Sequence, residues 1–156
     1  EALAAVVRLL RELALPLQVL GRGSNVLIGD GGVRGVVVLL RELEGVEVQG
    51  ERLLVGAGAD CTDVAAQALG ACLTGLEFFH WLPGSVGGAA FMNARAFEQE
   101  MSQVWRSAVV VTPAGELEER RYTPEDFAYK RSPLQESGEV GSIISNPTSI
   151  SSGFTK

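Results

Sequence analysis

The chain has 156 residues, of which 46% are hydrophobic and 21% charged, and a formal net charge of −6. This is an ordinary globular composition, with room for one domain or two small lobes, and it excludes wholesale disorder. The acidic balance and the lack of a basic cluster exclude a reader of nucleic-acid backbones, although backbone N–H groups can still hold a pyrophosphate without net positive charge.

Leu3, Val6, Val7, Leu10 and Leu13 recur at helical spacing and predict an amphipathic helix ended by Pro16. Arg8, Arg11 and Glu12 interrupt its apolar character, which argues against a signal peptide. No apolar run approaches the ~20 residues of a membrane span. Residues 17–20 read as a strand, followed by the loop Gly21, Arg22, Gly23, Ser24 and Asn25. Residues 26–28 suggest a second short strand with a turn at Asp30, Gly31 and Gly32. Residues 36–40 are nearly all apolar and read as a strand buried on both faces. A first lobe is expected over residues 1–41.

A second lobe is expected over residues 42–135, starting with strands at 46–49 and 53–56. Asp60 is placed as the N-cap of a helix carrying Val64, Ala65, Ala68 and Leu69, with Asp63 in its first turn. A Gly-rich segment at 83–90 leads into Phe91, Met92, Asn93 and Ala94. Residues 104–112 and 117–122 predict paired strands about a turn at Pro113, Ala114 and Gly115. Thr123 caps a helical turn with Pro124 at its first position, so Glu125 and Asp126 read as structural. Residues 136–156 are rich in Ser, Gly, Thr, Asn and Pro and are expected to be a linker, or an incomplete entry to a further domain. Cys61 and Cys72 lack zinc-site spacing and read as two buried thiols of a reducing cytoplasm. Trp81 and Trp105 are expected in the core or between lobes, and His80, the sole histidine, in a packing or wall role.

Two segments have the chemistry of a binding site. The glycines of Gly21, Arg22, Gly23, Ser24 and Asn25 let the backbone turn sharply and aim N–H groups at an anion, with Ser24 and Asn25 adding side-chain donors. No Gly-Lys-Ser/Thr follows, and Val26 stands where a Rossmann loop has its third glycine. By itself this segment reads equally as an ordinary Gly-rich turn. Pro83, Gly84, Ser85, Val86, Gly87, Gly88 and Ala89 are small enough for a flat ligand to approach the backbone, with a helix N-terminus close by. Close helix–sheet packing selects the same residues.

Taken in order, these two segments, the Val55–Gly56–Ala57–Gly58 and Gly75–Leu76–Glu77 runs, Met92–Asn93–Ala94 and Phe127–Ala128–Tyr129 resemble the MurB family of UDP-N-acetylenolpyruvoylglucosamine reductases over roughly residues 2–135. The resemblance implies an α+β, two-lobed FAD-binding fold of the vanillyl-alcohol oxidase and MurB type. Gly21, Arg22, Gly23, Ser24, Asn25 and Val26 would hold the FAD pyrophosphate, while Pro83, Gly84, Ser85, Gly87, Gly88 and Ala89 would line the flavin. It further implies non-covalent FAD, NADPH as co-substrate, a UDP-sugar substrate, a role in peptidoglycan precursor synthesis, and a cytoplasmic monomer that binds neither nucleic acid nor membrane. Lys130, with Arg131 beside it, stands where the family has a catalytic arginine. The run from Gly141 to Pro147 partly resembles the family's proton-donor segment, which would make Ser142 the proton donor; it lies sooner after Ser132 than in the family, through a deletion or an accidental match. Arg95 and Glu98 replace glycines of the family pattern, no third catalytic glutamate is matched, and the substrate domain and an N-terminal strand are missing. With Glu1 at its start, the chain reads as a partial one. The alternatives are another FAD oxidoreductase of this fold, such as an oxidase of hydroxylated small molecules, and a non-catalytic flavin-binding fragment.

Overall fold

A computed structural model describes residues 1–137, 143–144 and 148–151. The amphipathic opening forms α1 (Ala2–Glu12), whose buried stripe is Ala4, Val7 and Leu10. Val6, Leu9 and Leu13 remain substantially exposed. The inward face is thus rotated from the one that spacing predicts, because small Ala4 lets the helix pack closely. Ala4 and Val7 share a small core with Val111, and Arg8 donates to the Gly115 carbonyl.

After Pro16 comes β1 (Leu17–Leu20), which pairs in parallel with β2 (Val36–Leu39), from Leu17 opposite Val36 to Leu20 opposite Leu39. β2 is not buried on both faces as expected. Val37 and Leu39 open to solvent while Val38 packs inward, since this sheet has only two strands and one covered face. Residues 26–28 form no strand either, and Leu27 is 99% exposed.

The larger sheet is antiparallel throughout. Its members are β3 (Val46–Gln49), β4 (Arg52–Val55), β7 (Trp105–Val111), β8 (Leu117–Arg121), β9 (Ile143–Ile144) and β10 (Thr148–Ser151). The order is β3-β4-β10-β7-β8, with β9 paired to β7 as well. Between β4 and β7 the chain makes α2 (Cys61–Gly70), a 3-10 turn (Glu77–Phe79), α3 (Val86–Phe91), the hairpin of β5 (Arg95–Ala96) and β6 (Gln99–Glu100), and α4 (Met101–Val104). A 3-10 turn (Pro124–Asp126) and α5 (Pro133–Glu136) follow β8. Asp60 caps α2 by accepting from the Thr62 N–H, and Thr123 and Asp126 close a capping box about Pro124, both as expected.

β9 and β10 fall within residues 136–156, which the sequence reads as a linker or an incomplete entry to a further domain. Thr-Ser-Ile-Ser has one strongly apolar residue and no readable alternation. The segment is recruited through its backbone instead, because β4 and β7 each present ladder groups that need partners.

The main core gathers Leu53, Val55, Val64, Phe78, Phe79, Val86, Met101, Val110 and Leu134. Trp105 is buried there beside Tyr122 and Phe127. Trp81, expected inside, is 77% exposed and stacks edge-on with the exposed His80. Cys61 is buried as expected. Cys72 is exposed, because it follows the last turn of α2 in a left-handed conformation that points it away from the core.

The hairpin between β5 and β6 turns through Phe97 (φ 50°) and Glu98 (φ 64°), where both central residues are left-handed. Glycine or asparagine fits such a turn, whereas side chains strain it by roughly 1–2 kcal/mol per residue. Glu98→Gly is therefore expected to stabilise the protein by about 0.5–1 kcal/mol, net of the entropy a glycine adds to the unfolded chain. Urea denaturation checks this through a raised midpoint at unchanged slope.

Candidate functional site

The C-terminal end of β1 runs into the Gly21–Asn25 turn, and this turn meets the segment that precedes α3. A Cβ on Gly21 would lie 2.0 Å from the Ser85 hydroxyl and 3.1 Å from the Ser85 Cβ, so a side chain here would push that hydroxyl off its bond to the Gly88 N–H. Ser24 donates its hydroxyl to the Pro83 carbonyl at 2.9 Å, and Arg22 pairs with Asp60 at 3.3 Å. The second segment is fixed from behind. Cys61 N–H donates to the Gly84 carbonyl, Val86 N–H to the Ala59 carbonyl and Gly87 N–H to the Ala57 carbonyl, at 2.9–3.1 Å. Ser85 caps α3 by accepting from the Gly88 N–H at 3.3 Å.

This arrangement divides the two segments by function. The leading N–H groups of α3 are consumed internally, so the helix N-terminus expected to attract an anion has no free donors at Val86, Gly87 or Gly88. Among the described residues, the N–H groups of Gly21, Arg22, Gly23, Ser24 and Asn25 donate to no protein group. The first segment is therefore the one with donors to offer.

A cleft of about 870 Å³ opens over both segments, within the range of sites that enclose a whole small ligand. Its wall contains every expected cofactor residue: Gly21, Arg22, Gly23, Ser24, Asn25 and Val26 from the first segment, and Pro83, Gly84, Ser85, Gly87, Gly88 and Ala89 from the second. Sequence reasoning missed several wall residues, including Leu17, Leu40, Cys61, Leu82 and Gln135. Leu17 and Leu40 read simply as strand residues, and Cys61 as a core thiol, so only three-dimensional proximity finds them. Burial, reinforced by the Asp60 carboxylate, pushes the Cys61 thiol up to about 12. It stays protonated near neutrality and is a poor nucleophile.

A further stretch of wall comes from Tyr129, Lys130, Leu134 and Gln135. The Ala128 and Arg131 backbones bridge each other, and Lys130 sits between them at φ 55° with its ammonium 5.5 Å from the Tyr129 ring centre. Asn93 donates to the Ala128 carbonyl, and Ser132 and Gln135 both donate to the Phe91 carbonyl at 2.7 Å. These bonds strap the turn to the end of α3. Tyr129, Lys130 and Arg95 line the cleft, whereas Arg131 does not. Ser142 lies outside the described residues. Among them, no group of His, Cys, Asp and Glu could hold a metal ion, and no helix is long and apolar enough to cross a membrane.

Comparison with known proteins follows this geometry closely. A family model described as FAD binding domain matches residues 1–120. A UDP-N-acetylenolpyruvoylglucosamine reductase of Lactiplantibacillus plantarum is 40% identical over 136 residues, covering 87% of this chain and 45% of that protein. The crystal structure of the UDP-N-acetylenolpyruvylglucosamine reductase (MurB) from Thermus caldophilus superposes with a TM-score of 0.70 at 33% identity, covering 92% of this chain and 50% of that one. The 6-hydroxy-D-nicotine oxidase of Arthrobacter nicotinovorans, 20% identical with a TM-score of 0.67 over 96% of this chain and 33% of its own, shares the fold. The chain spans about half the length of the reductases it matches. The resemblance read from the motifs and the two-lobed FAD-binding fold class are both borne out.

Gly21→Ala should destabilise the protein by about 1–3 kcal/mol, the usual cost of forcing a group into a packed site. Ser85→Ala alone should cost about 1 kcal/mol through the lost cap. Combining them should cost less than their sum, because removing the Ser85 hydroxyl makes room for the new methyl. A double-mutant cycle by urea denaturation measures this, and strict additivity would contradict the contact.

Proposed function

The chain belongs to the FAD binding domain family, and on that premise we propose that it is the flavin-holding part of an NADPH-dependent UDP-N-acetylenolpyruvoylglucosamine reductase. One observation carries the reading: a glycine loop whose N–H groups have no partner among the described residues abuts a second glycine segment whose helix-opening donors are occupied, and both line a cleft large enough for a dinucleotide. The residues present fit FAD. Gly21, Arg22, Gly23, Ser24 and Asn25 would hold its pyrophosphate, and the small Gly84, Gly87, Gly88 and Ala89 would let the flat ring lie near the backbone. Residues 1–41 and 42–135 would act as the two FAD lobes, with 136–156 leading towards the remaining half of the enzyme.

Bound FAD would supply the hydride chemistry, taking hydride from NADPH and passing it to the enolpyruvyl group of the UDP-sugar. This chain's residues would position the reactants and manage charge. Lys130, in the cleft wall, would offset negative charge that develops on the substrate as it is reduced, with Arg131 adding to the local field. A lysine gives this charge as a point, without the bidentate fork of an arginine. Ser142 would return the proton, completing UDP-N-acetylmuramate for peptidoglycan synthesis. We read the enzyme as a cytoplasmic monomer.

FAD should bind without a covalent link, since the Cys61 thiol in the wall remains protonated and His80 is not part of the wall. The purified chain should show an oxidised-flavin spectrum, and acid precipitation should leave the colour in the supernatant. In the full-length enzyme NADPH should bleach the flavin anaerobically and UDP-N-acetylglucosamine enolpyruvate should restore it, whereas this chain alone should be a poor reductase. Colour retained in the pellet would overturn the non-covalent reading. Bleaching that the UDP-sugar fails to reverse in the full-length enzyme would overturn the substrate assignment.

A further inference from the structure

The chain as a whole carries a net charge of −6, yet among the described residues the charged ones lining its cleft are Arg22, Arg95 and Lys130, with no Asp or Glu. The three cations are not equivalent. Arg22 is already paired with Asp60 and belongs to the glycine-loop end. Among the described residues, neither Arg95 nor Lys130 has a carboxylate partner, and the Lys130 ammonium is near only the Tyr129 ring. Their two segments are tied together. Arg95 follows Asn93, which donates to the Ala128 carbonyl, and Gln135 bonds both the Phe91 carbonyl and the Lys130 carbonyl. Arg95 also begins β5, so the hairpin ladder to Glu100 fixes its backbone.

We propose that Arg95, acting with Lys130, is a specificity-determining residue that takes an anionic group, phosphate or carboxylate, of the second reactant once FAD fills the glycine-loop end. This rests on the functional reading above. Two cations with no carboxylate partner among the described residues, in a wall whose described residues include no carboxylate, raise the local concentration of anions even in an acidic protein. A guanidinium presents a planar fork that matches a carboxylate or phosphate through two parallel hydrogen bonds. Arg95 thereby sets which molecules are held against the flavin, while the loop end serves the cofactor.

The test uses the FAD-loaded chain, with inorganic pyrophosphate as the phosphate probe and oxalate as the carboxylate probe, each titrated by calorimetry. Variants Arg95→Gln and Arg95→Lys are compared with the parent, and FAD affinity is measured separately by flavin fluorescence. Arg95→Gln should weaken at least one probe about tenfold while FAD affinity changes less than twofold. Arg95→Lys should recover part of that loss, since charge returns without the fork. The more weakened probe identifies the chemistry of the bound group. Unchanged binding of both probes to Arg95→Gln would overturn the proposal. So would a parallel tenfold loss of FAD affinity, which would assign Arg95 to the cofactor. Failure of the parent to bind FAD would instead overturn the functional reading, and the proposal with it.

Discussion

A side chain at position 21 would bring its Cβ to 2.0 Å from the Ser85 hydroxyl and push it off its bond to the Gly88 N–H, so the turn after β1 meets the segment before α3 undisturbed when position 21 is glycine. Around that contact, Ser24 donates to the Pro83 carbonyl and Arg22 reaches Asp60. Asp60 at once caps α2 and anchors Arg22, so the same carboxylate that starts a helix also steadies the loop. The exposed ion pair contributes at most about 1 kcal/mol. The close approach at Gly21, together with the hydrogen bonds behind Gly84, Val86 and Gly87, does more to fix the geometry.

The outcome is a cleft in which donors and acceptors have been sorted in advance. The short α3 spends its leading N–H groups on the carbonyls of Ala57 and Ala59, which locks it to the sheet connection and removes it as an anion site. The preceding turn keeps its N–H groups free. An acidic protein thus offers backbone dipoles from the Gly21–Asn25 turn and two cations, Arg95 and Lys130, that have no carboxylate partner among the described residues. On the proposed reading, a dinucleotide and a second anionic reactant would have separate places to go, and neither would require a positively charged protein overall.

Much of this was legible in the sequence, for identifiable reasons. Strands Leu17–Leu20 and Val46–Gln49 carry strong β-formers bounded by turn residues, and Asp60 and Thr123 are capping residues at the right offset. The two glycine segments stood out by composition, and their motif order pointed to the family. What failed was whatever depends on neighbours. The exposure of Val37 and Leu39 follows from a sheet of two strands, which no local pattern reveals. β10 is a strand because β4 and β7 flank it, not because Thr-Ser-Ile-Ser alternates. Trp81 looked like core by residue type and lies at the surface. The helix N-terminus at 85–88 looked like a phosphate site, and only the long-range bonds from Val86 and Gly87 show where its donors go.

The central claim is that the Gly21–Asn25 amides stand free for a ligand while those opening α3 are already engaged. Hydrogen exchange, followed at residue resolution with and without FAD, tests it most directly. Before FAD is added, the Val86 and Gly87 amides should be protected and those of Gly21 to Asn25 should exchange rapidly. FAD should then slow the loop amides strongly and change Val86 and Gly87 little. Loop amides that are protected beforehand, or that FAD leaves untouched while those of α3 respond, would contradict the account.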